Sequence, residues 1–317
     1  MKHAKTVEEW IVTRDGCSMY TKSWKTATQP PLATMVFLHG FGEHVNRYNH
    51  MFPRFAQANI EVYAYDQRGF GKTGLKNGNL GITGGWKVIK EDITDALKIA
   101  KQPGVPLILF GHSMGGSLAL RYAAEGPESK NISALLITSP LIRSARINDS
   151  TVTLGTGLSK VLPNLQFNTK IDIKYVSRDP KECLKYANDP YNHPYWSLKG
   201  ASDVLRGAKL VMKSGYERIT HPIYLAHGTG DQVTAFGSTK ELYEKLPSKD
   251  KTFRVWTGLF HEMHNELEKN QVIQEYIDWT VSRAKQLRRY PFDADDTTTS
   301  YTPLQPLRDF GPSTLFG

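Results

Sequence analysis

The chain has 317 residues, of which 39% are hydrophobic and 11% aromatic, and it carries a formal net charge of +9. This amount of apolar material can bury a sizeable core, so a largely disordered chain is excluded. No run of eighteen apolar residues is present, so a membrane-spanning helix is not predicted.

Two features predict the compartment. Residues 1–10 hold no apolar run typical of a secretion signal, and the two cysteines, Cys17 and Cys183, lie far apart in the chain. Because this cysteine usage does not suggest a disulfide framework, we expect a cytoplasmic protein.

The excess positive charge is concentrated in one segment. Residues 141–220 hold thirteen Lys and Arg against seven Asp and Glu. The basic residues form no short run interleaved with aromatic residues, so a nucleic-acid partner is not predicted. An anionic lipid surface would attract such a face, although an ordinary solvated helical surface explains it equally well.

The first elements are two β-rich runs, at residues 10–13 and 18–24, around the turn signal Asp15-Gly16. They predict an antiparallel hairpin at the edge of a sheet. Further apolar runs bounded by turn residues predict strands, most of them buried on both faces, at 35–38, 62–65, 107–110, 135–137, 223–226 and 253–256. Helical patterns lie between and after these strands, at 88–100, 237–246 and 272–287. The alternation predicts an α/β fold with a mostly parallel sheet and helices on both faces.

The alternation is interrupted after Pro140, because about eighty residues pass before the next buried strand. An apolar helical stretch at 152–162 and an amphipathic helix at 204–212 predict that residues 141–220 form a helical cap. The cap would be inserted into a core made of residues 1–140 and 221–289. Residues 290–317 lack periodicity and predict a disordered tail.

The sharpest motif is Gly111-His112-Ser113-Met114-Gly115, which follows a predicted strand and precedes a helical pattern. This is the context of the nucleophile turn in an α/β-hydrolase fold, with Ser113 as the nucleophile. Small residues on either side are needed because a side chain would clash in so tight a turn. The alternative is a glycine-rich turn with an idle serine.

A serine hydroxyl needs a base, and the base needs a partner that orients it. Asp231 follows the strand at 223–226, and His261 follows the strand at 253–256, which gives the chain order Ser, acid, His of this fold. A turn-capping role is the alternative for Asp231, and His264 is the rival base. His261-Glu262-Met263-His264 is not a zinc motif, because its histidines are three residues apart rather than four.

The oxyanion formed during acyl transfer needs two backbone N–H donors. Met114, next to the nucleophile, supplies one. The loop His39-Gly40-Phe41-Gly42 directly follows the strand at 35–38, and Phe41 is predicted to supply the other.

These residues belong to a wider pattern. From Thr34 to Arg283 the chain resembles the monoacylglycerol lipase family of α/β-hydrolases, and its fungal members in particular. The motifs that carry the resemblance are His39-Gly40-Phe41-Gly42-Glu43-His44 with Arg47-Tyr48, Asp66-Gln67-Arg68-Gly69-Phe70-Gly71, Gly111 to Gly115, Lys160-Val161-Leu162-Pro163-Asn164-Leu165, Tyr186-Ala187-Asn188-Asp189-Pro190, and His261 with His264. Bulky Phe41 is a departure, because animal members have a small residue there.

The resemblance implies a substrate and its binding residues. In the family, the positions of Glu43, Arg47, Tyr186 and His264 form the polar end of the pocket that holds glycerol. Hydroxyl groups both donate and accept hydrogen bonds, which suits these side chains, although local ion pairs are the alternative for each. The acyl chain would lie beneath the apolar stretch at 154–162.

The triad thus predicts a serine hydrolase that acts through an acyl-enzyme without a metal or organic cofactor, and the resemblance implies that its substrates are monoacylglycerols. The cap's charge and apolar surface also predict peripheral contact with membranes or lipid droplets. A lysophospholipase, a broad carboxylesterase and a peptidase of the same fold are alternatives. A non-catalytic lipid-binding relative is an alternative of another class. The sequence does not predict the oligomeric state.

Overall fold

The computed structural model describes residues 5–145, 157–169 and 171–289. Its strands are β1 (Lys5–Val12), β2 (Ser18–Lys25), β3 (Ala33–Leu38), β4 (Ile60–Tyr65), β5 (Leu107–His112), β6 (Ala134–Thr138), β7 (Gln166–Asn168), β8 (Tyr195–Ser197), β9 (Ile223–Gly228) and β10 (Lys251–Trp256). All but β7 and β8 form one eight-stranded sheet, in the order β1-β2-β4-β3-β5-β6-β9-β10. Every strand predicted from the sequence is present in it.

The sheet is antiparallel at one edge and parallel elsewhere. β1 pairs with β2, and β2 with β4, in antiparallel register. The turn between β1 and β2 contains Gly16 at φ +84°, a left-handed conformation that favours glycine. The predicted hairpin is therefore confirmed. From β4 to β10 the neighbouring strands are parallel, so the loops that follow them open at one common edge.

Helices cover both faces of the sheet. They are α1 (Phe52–Gln57), α2 (Gly71–Lys76), α3 (Trp86–Ala100), α4 (Met114–Glu125), α5 (Pro180–Asn188), α6 (Leu198–Lys213), α7 (Phe236–Lys245) and α8 (Lys269–Arg289). Within β5, Leu107 and Leu109 join the core beneath α3 and α4, whereas Ile108 and Phe110 join the core beneath α1 and α8. This alternation explains why residues 107–110 of β5 are all apolar.

The segment between β6 and β9 has its own small elements. β7 and β8 form an antiparallel ribbon. In the chain, α5 lies between these two strands and α6 directly follows β8. The predicted helix at 204–212 is α6, which packs on α4. The ribbon and α5 were not predicted, because short elements give weak patterns.

Two sequence predictions lie partly or wholly outside the described residues. In the apolar stretch at 152–162, residues 152–156 fall outside them, while 157–158 are helical and a turn follows. The predicted tail, residues 290–317, falls outside them entirely. Within the described ranges, no helix has both the length and the hydropathy to cross a bilayer.

Candidate active site

Ser113 lies in a strained turn between β5 and α4. Its backbone has φ 55° and ψ −117°, a conformation that is costly for a residue with a side chain. A Cβ on Gly111 would lie 2.4 Å from the Gly115 carbonyl oxygen, and a Cβ on Gly115 would lie 2.1 Å from that of Leu38. Only glycine fits at both positions, and the turn holds Ser113 at the carboxyl edge of the sheet.

Three strands bring the predicted triad together. Asp231 comes shortly after β9, and His261 shortly after β10, at the same edge as Ser113. His261 Nε2 is 2.9 Å from Ser113 Oγ, and His261 Nδ1 is 2.8 Å from Asp231 Oδ2. All three residues are buried, with at most 5% of their surface exposed. This hydrogen-bonded chain can deprotonate a serine hydroxyl and carry the resulting imidazolium charge.

The Asp231 carboxylate is held by donors on both of its oxygens. Oδ1 accepts hydrogen bonds from the N–H groups of Val233 and Thr234, at 2.7 and 3.0 Å. Oδ2 accepts from Thr234 Oγ1 at 2.8 Å and lies 3.1 Å from His227 Nε2. Burial alone would raise the pKa of Asp231, but His261 and His227 beside it hold that pKa well below its usual range. Sequence reasoning missed His227 and Thr234, although their positions four before and three after Asp231 were a usable signal.

The electrostatic environment of His261 favours its action as a general base. Burial alone would lower its pKa, but the Asp231 carboxylate reverses this, and the pKa of His261 is raised. The neighbouring His112 ring lies 5.0 Å away, centre to centre, and burial lowers its pKa to about 3. His112 is therefore neutral, so it places no competing positive charge beside His261.

The loop predicted to supply an oxyanion donor runs beside the nucleophile. A Cβ on Gly40 would lie 3.3 Å from Ser113 Cβ. Two hydrogen bonds from Gln67 hold the start of this loop. The Gln67 N–H donates to His39 Nε2 at 2.9 Å, and Gln67 Nε2 donates to the His39 carbonyl at 2.7 Å. Met114 is the first residue of α4, so its N–H has no partner within the helix. The Phe41 side chain stacks on Trp196, with ring centres 4.5 Å apart.

The structure brings together three of the four residues predicted to hold glycerol. Arg47 Nη1 donates to Glu43 Oε2 at 2.7 Å, and the Tyr186 ring lies 4.6 Å from the guanidinium carbon. The charged groups of Glu43 and Arg47 already have protein partners, since Glu43 Oε1 also accepts from Tyr48 Oη and Arg47 also donates to Glu262. The glycerol-binding role of this group stays a prediction.

His264 is placed differently from the other three. Its ring stacks on Tyr48 with centres 5.0 Å apart, and both of its nitrogens are buried with no partner among the described residues. Burial holds the pKa of His264 well below its usual value, so the ring is neutral. The hydrogen bond to Ser113 is made by His261, not by this rival base.

An open pocket of about 480 Å³ lies next to the site. Phe41 and Tyr186 line it together with Ile171, Ile173 and Asn192, so its wall combines apolar and polar groups. Across residues 5–145, 157–169 and 171–289, no three His, Cys, Asp or Glu side chains are grouped to hold a metal ion.

Comparison with known proteins adds independent information. The model of the family described as "Serine aminopeptidase, S33" matches residues 29–268. The chain belongs to this family. A Schizosaccharomyces pombe protein provisionally named a monoglyceride lipase is 38% identical over 84% of this chain and 72% of its own length. A monoacylglycerol lipase of Mycolicibacterium smegmatis is 31% identical over 81% of this chain and 91% of its own length.

The fold comparison agrees with the sequence comparison. The crystal structure of a Paleococcus ferrophilus monoacylglycerol lipase superposes with a TM-score of 0.76 and 29% identity, covering 84% of this chain and 99% of that one. The predicted resemblance to monoacylglycerol lipases and the predicted α/β-hydrolase fold are both confirmed.

Proposed function

We propose that this protein is a serine hydrolase that cleaves monoacylglycerols into a fatty acid and glycerol. The observation that carries the proposal is the hydrogen-bonded chain from Ser113 through His261 to Asp231 at the end of three parallel strands. The names of its relatives support the substrate, because those proteins are called monoglyceride or monoacylglycerol lipases.

In the first half of the reaction, Ser113 Oγ attacks the ester carbonyl carbon while His261 Nε2 takes the hydroxyl proton. Asp231 accepts the hydrogen bond from His261 Nδ1, which keeps the ring in the tautomer that can act as a base. The N–H groups of Phe41 and Met114 donate to the oxyanion. The intermediate collapses, the carbon–oxygen bond to glycerol breaks, and His261 protonates the leaving alkoxide.

In the second half, water replaces the alcohol. His261 takes a proton from the water as its oxygen attacks the acyl-enzyme carbonyl, and a second oxyanion forms between the same two N–H groups. The bond to Ser113 Oγ then breaks, and the proton held by His261 returns to that oxygen. The fatty acid is released and the enzyme is restored.

We also propose that residues 141–220 act as a cap that docks on lipid surfaces. Leu158, Val161, Leu162 and Leu165 are exposed by 44%, 76%, 47% and 49% in one short stretch. Exposed apolar side chains near an excess of Lys and Arg suit an anionic interface.

Flotation with anionic liposomes tests this docking. The double variant Leu158→Asp, Leu162→Asp is expected to lose binding, because two charges would have to enter the interface. Ile99→Asp is the matched control, since Ile99 is 54% exposed on α3, outside the proposed cap. Equal flotation of the double variant and the unsubstituted protein would count against docking through this stretch.

Rates on monoacylglycerol, lysophospholipid, diacylglycerol and aminoacyl substrates test the proposed activity and separate it from its alternatives. We expect monoacylglycerol to have the highest kcat/KM. Ser113→Ala should lower turnover by several orders of magnitude without unfolding the protein, and a fluorophosphonate should label Ser113 only in the unsubstituted enzyme. An unreactive Ser113 would instead favour a lipid-binding protein without catalysis.

A further inference from the structure

A buried ionic cluster lies beside the triad. The Arg47 guanidinium donates to Glu262 through both terminal nitrogens, Nη1 to Oε1 at 2.6 Å and Nη2 to Oε2 at 2.7 Å. Nη1 also donates to Glu43 Oε2 at 2.7 Å. The exposed fractions of the three side chains are 8% for Arg47, 3% for Glu43 and 4% for Glu262. Because burying such charges costs free energy, this cluster is not explained by stability alone.

The two carboxylates of the cluster connect to different parts of the proposed catalytic site, one to the oxyanion loop and the other to the loop that carries the catalytic base. Glu43 Oε1 accepts a hydrogen bond from the Gly40 N–H at 2.6 Å, and Gly40 directly precedes the proposed oxyanion donor Phe41. Glu262 directly follows His261, and its backbone N–H donates to the Val176 carbonyl at 2.8 Å. Arg47 therefore joins the loop after β3 to the loop after β10.

We propose that Arg47 is a positioning residue, which holds the oxyanion loop in register with the loop of the catalytic base by bridging Glu43 and Glu262. This inference rests on the proposed function. Two parallel N–H···O bonds fix angle as well as distance, which a lysine in place of Arg47 cannot do. A shift of about 1 Å between a base and an oxyanion donor can cost about 100-fold in rate.

The cluster also acts on His261 through charge. Burial lowers the pKa of His261, whereas Asp231, Glu262 and Glu43 raise it, in that order of strength. Replacing Glu262 by glutamine removes one negative charge and leaves the shape unchanged. The pKa of His261 should fall, so the acid limb of kcat/KM should move to lower pH, because the base must be neutral to act. Simple loosening of the fold would not produce that shift.

Two substrates separate positioning from direct binding of glycerol. The variants are Arg47→Lys and the isosteric Glu262→Gln, assayed on a monoacylglycerol and on p-nitrophenyl butyrate, an ester without glycerol. The control is Arg254→Met, which breaks a partly exposed ion pair between Arg254 on β10 and Glu275 on α8. Rates are normalised to the fraction of enzyme that reacts with a fluorophosphonate at completion, so that misfolded protein does not count.

We expect kcat to fall at least ~10-fold on both esters with KM nearly unchanged, and Arg254→Met to stay within about twofold of the unsubstituted enzyme. For Glu262→Gln, the acid limb should also move to lower pH. A rise in KM confined to the monoacylglycerol would overturn the proposal and make Arg47 a glycerol contact. Unchanged kinetics on both esters would overturn it as well. Failure of the proposed function is distinct, because the unsubstituted enzyme would then not hydrolyse the monoacylglycerol, whatever its rate on p-nitrophenyl butyrate.

Discussion

Replacing Asp231 by asparagine should invert the tautomer of His261. The Oδ1 position faces the backbone N–H groups of Val233 and Thr234, which cannot turn away. An asparagine must therefore place its oxygen there and its NH₂ group toward His261 Nδ1. That nitrogen would become an acceptor, so Nε2 would carry the proton and could no longer take one from Ser113.

The size of the effect follows from two losses. Opposite charges about 4 Å apart attract by about 4 kcal/mol at an effective dielectric constant of about 20. At 1.36 kcal/mol for each factor of ten, losing the carboxylate's support of the imidazolium costs about 10³ in rate. The wrong tautomer adds to this, so we expect kcat/KM to fall by ~10³ to 10⁴.

The assay is kcat/KM on a soluble ester, normalised to the enzyme that a fluorophosphonate labels at completion. Asp231→Ala is the informative comparison, because it removes the charge but leaves His261 free to adopt either tautomer. We expect Asp231→Ala to be less stable to urea, since two backbone N–H groups lose their acceptor, yet more active than Asp231→Asn. An Asp231→Asn variant within tenfold of the unsubstituted enzyme, or more active than Asp231→Ala, would contradict this account.

Three further outcomes can be measured. Gly115→Ala should lower the free energy of unfolding, measured in urea, by ~1–3 kcal/mol or more, because its Cβ would collide with the β3 backbone. As a control, Gly237→Ala should not destabilise the protein, because the space around Gly237 is open. The acid limb of kcat/KM should have its midpoint above 6.5, the ordinary pKa of histidine, because the pKa of His261 is raised; a midpoint below 6.5 would be inconsistent with that shift. Phe41→Ala should lower the free energy of unfolding in urea by about 3 kcal/mol, because Trp196 loses its stacking partner. Ser113 should still react with a fluorophosphonate, because the backbone N–H donor of residue 41 remains.

Much of the catalytic arrangement could be predicted because its residues lie at fixed distances from strand ends. Ser113, Asp231 and His261 each follow an apolar run closely, and parallel strands end at one edge of a sheet. Chain order then assigned the nucleophile, the acid and the base. The glycines around Ser113 were predictable for the same local reason, since a tight turn limits side-chain size.

The partners of these residues were harder to predict. Glu262 was noticed only as part of a string that fails to match a zinc motif, yet it binds Arg47, which lies 215 positions away in the sequence. Glu43 and Arg47 were expected to face glycerol, and an i,i+4 ion pair was the local alternative. That pair is present, but nothing in the sequence indicated that Glu262 would also bind Arg47.

By itself, the sequence determined the succession of strands and helices, the sharp turn at Ser113 and the order of the triad, because each depends on the spacing of side chains along a few residues. Only the tertiary structure decided which donors surround Asp231, where His264 lies and how Arg47 joins two loops. Hydrogen bonds and ion pairs require atoms within about 3 Å of one another, and the folded backbone alone sets such distances between remote residues.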